Sequence, residues 1–106
     1  MLIVKPLDGP FGAEILGLDL TQPVPDQTVR ELIHLFHKHQ VIKIRNQRLT
    51  EEQYNRFGQW FGNPHPHVIT QARLPGYPGV SLLTNAGERR NGAVYWHTDN
   101  SYEELP

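Results

Sequence analysis

The apolar positions of this chain change period several times, and each change predicts an element. Leu2 to Val4 reads as a short strand closed by the turn cluster Pro6-Leu7-Asp8-Gly9-Pro10. From Phe11 to Leu20 the residues Ala13, Ile15, Leu16, Leu18 and Leu20 are interspersed with Gly12 and Gly17. That pattern predicts a second extended, partly buried segment bent at its glycines. The glycine spacing matches neither a dinucleotide fingerprint nor a P-loop, and no Gly-Lys-Ser/Thr follows, so it does not support a phosphate cradle.

Pro23-Val24-Pro25-Asp26 stops the extended segment and opens a helix, with Asp26 or Thr28 as N-cap and Thr28 with Glu31 as a capping box. Val29, Leu32, Ile33 and Phe36 follow at i, i+3, i+4 and i+7, the stripe of a helix resting on a core. His34, His37 and His39 lie on the same helix. The first two share its polar face with no carboxylate one turn away, and the third lies nearer the apolar stripe, so the expectation is two solvated histidines and one packed. Gln40 to Arg45 alternates as a strand with Ile42 and Ile44 on one face, and Asn46-Gln47-Arg48 turns the chain.

Thr50 with Gln53 forms another capping box, and Glu51 and Glu52 favour the positive end of the helix dipole. Tyr54, Phe57, Trp60 and Phe61 would be this helix's buried face, with Gly62 as its left-handed terminator and Pro64 forbidding continuation. A long proline-rich connection from Asn63 to Gly79 carries His65-Pro66-His67, where the proline favours extended backbone and lets both rings face one way. Val80 to Thr84 reads as a strand, Asn85 to Gly92 as a polar hairpin-like loop, and the residues from Ala93 as a strand holding Trp96-His97-Thr98-Asp99.

Composition narrows the class. A chain of 106 residues, 38% hydrophobic and 20% charged, fits one globular domain with a modest core. The net charge of -1, with Lys and Arg scattered, provides no basic stripe for nucleic acid or an anionic membrane. No apolar run approaches membrane-spanning length, and Lys5 and Pro6 interrupt the amino-terminal residues too early for a signal peptide, so a cytoplasmic protein is expected. With no cysteine, any metal must be held by nitrogen and oxygen. The chain stops at Glu103-Glu104-Leu105-Pro106, directly after its last expected strand, which reads as a fragment of a longer protein.

The candidate chemistry is His97 and Asp99. On an extended segment they share a face, and an imidazole nitrogen and a carboxylate oxygen then converge as in the facial 2-His-1-carboxylate site of ferrous iron. The plainer alternative is an Asp accepting a hydrogen bond from a strand-end His. Three blocks decide how to weigh them: Pro10-Phe11-Gly12-Ala13-Glu14-Ile15 with Gly17-Leu18-Asp19-Leu20; His39-Gln40-Val41-Ile42 through Arg45-Asn46-Gln47 with Phe61-Gly62; and Trp96-His97-Thr98-Asp99. In order and spacing the chain resembles the amino-terminal part of the taurine dioxygenase (TauD/TfdA-like) family of Fe(II)- and 2-oxoglutarate-dependent dioxygenases.

The resemblance implies an α+β fold: a partial double-stranded β-helix, the jelly-roll or cupin-like barrel, truncated and flanked by two helices. Residues 1–106 would be the amino-terminal part of a single dioxygenase domain. His97 and Asp99 would be two iron ligands, while the distal His ligand and the Arg that grips 2-oxoglutarate would lie downstream. His67 would contact the acidic group of a small sulfonate- or carboxylate-like substrate. Fe(II), 2-oxoglutarate and molecular oxygen would be required, with no nucleic-acid or membrane partner and with a homo-oligomeric parent left open. Thr70 and Ala93 stand where taurine dioxygenase has substrate-contacting Tyr and Asn, which counts against taurine; Lys43 stands where relatives have an apolar residue. The alternatives are an inactive truncated product or interaction module, and a cupin-like zinc protein closing His65, His67, His97 and Asp99 around its metal.

Overall fold

The computed structural model describes residues 2–66, 70–83 and 95–105. Its first unit is a three-stranded sheet with a helix on one face. β1 (Ile3–Pro6) pairs antiparallel with β2 (Ala13–Leu16), placing Val4 opposite Ile15 and Lys5 opposite Glu14. β2 in turn pairs parallel with β3 (Ile42–Lys43). Parallel neighbours need a crossover, and α1 (Asp26–His39) supplies it. The expected strands over Phe11–Leu20 and Gln40–Arg45 are thus shorter. Gly17 and Asn46 both take positive φ, at 78° and 61°, and bend the chain out of the sheet.

Alternation across the pleat sends Leu2, Ala13 and Ile15 into the core, where Leu32 and Leu35 of α1 meet them. Ile15 and Leu32 are each 1% exposed, and burying a side chain of that size contributes about 1.5–3 kcal/mol. The α1 stripe therefore centres on Leu32 and Leu35, and the expected Val29, Ile33 and Phe36 flank it half-buried. His34 and His37 are exposed and His39 is half-buried, as the face assignment required.

The two helix starts differ. Thr50 accepts from the Gln53 N–H at 3.2 Å while Gln53 Oε1 accepts from the Thr50 N–H at 2.9 Å, so the capping box of α2 (Glu51–Gln59) forms as expected. The one expected at Thr28 and Glu31 does not. Neither Asp26 nor Thr28 is the N-cap of α1: Pro25 is, with no side-chain cap, so Asp26 is already the first helical residue and Thr28 and Glu31 lie within helical backbone. Pro25 accepts from the Val29 N–H at 3.0 Å, and Asp26 puts a carboxylate in the first turn.

Helix α2 buries none of its residues completely, which corrects the expected aromatic face. Phe57 and Trp60 pack against the core, Phe61 meets Phe36 of α1 edge-on at 5.3 Å, and Tyr54 is 56% exposed. Polar side chains of α2 and of the connection before it hold the loop after β2. Gln47 Oε1 accepts from the Leu20 N–H at 2.9 Å, and its Nε2 donates to the carbonyls of Leu18 and Arg45. Gln53 and Arg56 donate to the carbonyls of Thr21 and Leu20. This satisfies backbone groups of a loop that has no ladder of its own.

The expected irregular connection from Asn63 to Gly79 contains structure: a 3₁₀ turn at Thr70–Ala72, then a hairpin of β4 (Arg73–Leu74) and β5 (Tyr77–Ser81) turning at Gly76, φ 82°. The strand predicted at Val80–Thr84 begins earlier, and Thr84 lies outside the described residues, as does the predicted loop from Asn85 to Gly92. β5 packs on the chain leaving α2. A Cβ on Gly79 would lie 2.6 Å from Pro64 Cβ, so glycine is required there by close approach.

Candidate metal centre

Lys43 has a local explanation. It leaves β3 on the face opposite Ile42 and reaches within 3.8 Å of Glu14 Oε2, while Arg45 Nε donates to Glu14 Oε1 at 2.7 Å. The Glu14 side chain is only 12% exposed because two cations cover it. A charged residue at this position is accommodated by the register that puts Glu14 beside it.

His97 and Asp99 do converge, but by another route than the one expected. Among the described residues, 95–105 form bends and turns and no strand, with Asn100 at φ 53°. The reason is that a strand needs a partner, whereas the hydrogen bonds of this segment close locally. His97 Nδ1 lies 2.9 Å from the Tyr95 carbonyl, Tyr102 Oη donates to Asn100 Oδ1, and the Glu103 N–H donates to the Asn100 carbonyl. His97 Nε2 lies 3.0 Å from Asp99 Oδ1. Both residues are exposed, and Trp96 beside His97 is fully exposed.

The Tyr95 carbonyl facing Nδ1, followed by the Asp99 carboxylate, raises the His97 pKa above its ordinary 6.5. A carbonyl can only accept, so Nδ1 carries a proton, and the contact at Nε2 is attractive when a positive charge stands between ring and carboxylate. An imidazole nitrogen and a carboxylate oxygen held in this way suit a divalent metal that takes nitrogen and oxygen donors.

No group of three or more His, Asp or Glu side chains that could hold a metal occurs among the described residues. His65 is therefore not gathered with His97 and Asp99, which removes that part of the four-ligand zinc arrangement. His67, the expected substrate contact, and Ala93 lie outside the described residues, while Thr70 is exposed at the start of the 3₁₀ turn. An open groove of about 320 Å³ lies between α2 and β5, lined by Phe57, Phe61, Pro64 and Val80. Among the described residues that line it, only Tyr54 is ionisable, so these provide no donor set for a metal. No helix among the described residues is long and apolar enough to cross a membrane.

The described residues thus form a mixed fold of two helices and small sheets, with an exposed His-x-Asp pair at residues 97–99. The chain belongs to the family described as taurine catabolism dioxygenase TauD, TfdA family, whose model matches residues 3–106. It is 31% identical over 105 residues to the alpha-ketoglutarate-dependent sulfate ester dioxygenase of Pseudomonas putida, covering 97% of this chain and 34% of the relative. It is 26% identical over 119 residues to the alpha-ketoglutarate-dependent 2,4-dichlorophenoxyacetate dioxygenase of Cupriavidus pinatubonensis, covering 97% and 42%. The solved structure of a taurine dioxygenase from Burkholderia xenovorans superposes with a TM-score of 0.64 at 32% identity, over 73% of this chain and 28% of that one. The chain thus spans less than half the length of each.

Proposed function

We propose that residues 1–106 are the amino-terminal part of a single Fe(II)- and 2-oxoglutarate-dependent dioxygenase domain built on a double-stranded β-helix. Its activity is hydroxylation of a small acidic organic substrate. The observation that carries the reading is the approach of His97 Nε2 and Asp99 Oδ1 to 3.0 Å in a chain matched to the family from end to end. The two donors fit ferrous iron as part of a facial set, and the remaining His and the 2-oxoglutarate-binding Arg belong to the rest of the parent protein.

His97 would give the metal an imidazole nitrogen and Asp99 a carboxylate whose charge offsets part of the metal's own. When bound, iron and 2-oxoglutarate supply the oxygen activation needed for C–H hydroxylation, and the protein supplies placement and exclusion of side reactions. His67 is the proposed contact to the substrate's acidic group. The relatives named for sulfate esters and an aryloxyacetate support an anionic substrate class. Thr70 and Ala93 argue against taurine itself. The reading places the parent in the cytoplasm.

The test is Asp99→Ala in the full-length parent, where substrate turnover and 2-oxoglutarate decarboxylation are both expected to be lost; substantial retained decarboxylation would refute the assignment. A second reading, in which the 106 residues alone form an inactive interaction module, is favoured by the exposure of Leu82, Leu83, Trp96 and Leu105. Anaerobic titration with Fe(II) and 2-oxoglutarate distinguishes the two, because the visible absorption of chelated 2-oxoglutarate is expected from the parent and not from the isolated chain.

A further inference from the structure

We propose that Tyr95 is a positioning residue for His97: its backbone carbonyl holds the imidazole as the Nδ1–H tautomer, leaving Nε2 as the metal-facing nitrogen, and its ring steadies the imidazole plane. This rests on the reading of His97 and Asp99 as metal ligands.

The argument starts from what each atom can do. A carbonyl oxygen has lone pairs and no proton, so the 2.9 Å contact between Tyr95 O and His97 Nδ1 is a hydrogen bond only when Nδ1 donates. Nε2 faces Asp99 Oδ1 at 3.0 Å, so both ring nitrogens meet acceptors and the ring in this geometry carries a proton on each. A metal at Nε2 takes the place of that second proton, while Nδ1–H stays on the carbonyl. Which nitrogen of a histidine binds metal is set by the hydrogen bond made at the other, and backbone carbonyls commonly fill that part. Unaided imidazole in water favours the proton on Nε2, so without the carbonyl the ring would offer the carboxylate side a hydrogen in place of a lone pair. The Tyr95 ring adds a second restraint, meeting the His97 ring edge-on at 5.8 Å and 67°. Tyr95 is itself exposed, so this contact is not imposed by core packing.

The experiment is long-range ¹H–¹⁵N correlation on the histidine-labelled chain, at a pH where His97 is neutral, with His97→Gln identifying its signals. In Asp99→Ala, where no carboxylate competes for the ring proton, Nδ1 is expected protonated and Nε2 bare, because the carbonyl alone selects that tautomer. An Nε2–H ring, or a rapidly averaging mixture, in Asp99→Ala would overturn the proposal. In the wild type Zn(II) is expected to move the Nε2 resonance and leave Nδ1–H in place; loss of Nδ1–H would overturn the proposal. If Zn(II) moves neither nitrogen while the tautomer is as expected, the metal-ligand reading fails and the tautomer role of Tyr95 stands. Tyr95→Leu keeps the carbonyl and removes the aromatic edge. It is expected to keep the tautomer and weaken Zn(II) binding about tenfold, and unchanged affinity would overturn the part given to the ring.

Discussion

Residues 2–60 and residues 95–105 are held by opposite means. In the first region Ile15 and Leu32 are buried from strand and helix far apart in sequence, and Gln47 before α2 with Gln53 and Arg56 on it hold a loop more than 25 residues earlier. In the second, His97, Asp99, Asn100 and Tyr102 are exposed, and the hydrogen bonds described join residues two or three apart. Long-range burial makes a region cooperative, whereas local exposed bonds open with little cost. The scaffold can therefore be stable while the segment around His97 and Asp99 opens and closes on its own.

Substitutions should expose this difference, beginning with the core. Ile15→Ala is expected to cost about 2–5 kcal/mol by denaturant unfolding, while the histidine-labelled spectrum of His97 in the fraction still folded stays as in the wild type; a changed His97 signal would show that the loop leans on the core. Gly79→Ala should cost about 1–3 kcal/mol, because its Cβ would press on Pro64. Thr50→Ala should cost about 1 kcal/mol through loss of the α2 cap, and Thr28→Ala, lacking such a bond, much less. The smallest effect belongs to the loop.

Because the folded-state pKa of His97 is raised, its contribution is fully present below the unfolded value near 6.5 and is lost as pH rises through the folded value. An NMR titration of His97 should have its midpoint above 6.5, falling part of the way back in Asp99→Asn, since the Tyr95 carbonyl remains. Asp19 runs the other way. Hydrogen bonds from the Thr21 hydroxyl and N–H hold its carboxyl below the usual 3.8, so its contribution is present above that value and lost as pH falls through the lower one.

Features that depend on near neighbours were legible in the sequence. The Thr50–Gln53 capping box, the exposed His34 and His37, the inward Ile42 and the pairing of His97 with Asp99 all rest on short, fixed spacings. Three expectations needed distant context and went differently. Pro25 displaced Thr28 as the start of α1, the aromatic residues of α2 met too little surrounding structure to be buried, and the segment around His97 turned where a strand was expected. The tautomer-setting partner had no sequence signal at all, because the group involved is the backbone carbonyl of Tyr95, which every residue possesses.

By itself, the sequence determined the order of the first five elements, from β1 to α2, and, having no cysteine, the nitrogen and oxygen character of any metal site, because periodicity, capping and ligand chemistry are properties of residue type at close spacing. The tertiary structure decided that Glu14 sits under Lys43 and Arg45, that Leu35 joins the centre of the core, and that Gln47, Gln53 and Arg56 hold the loop after β2. Those outcomes depend on which groups find partners across the fold, and a backbone or carboxylate without one takes the nearest that satisfies it.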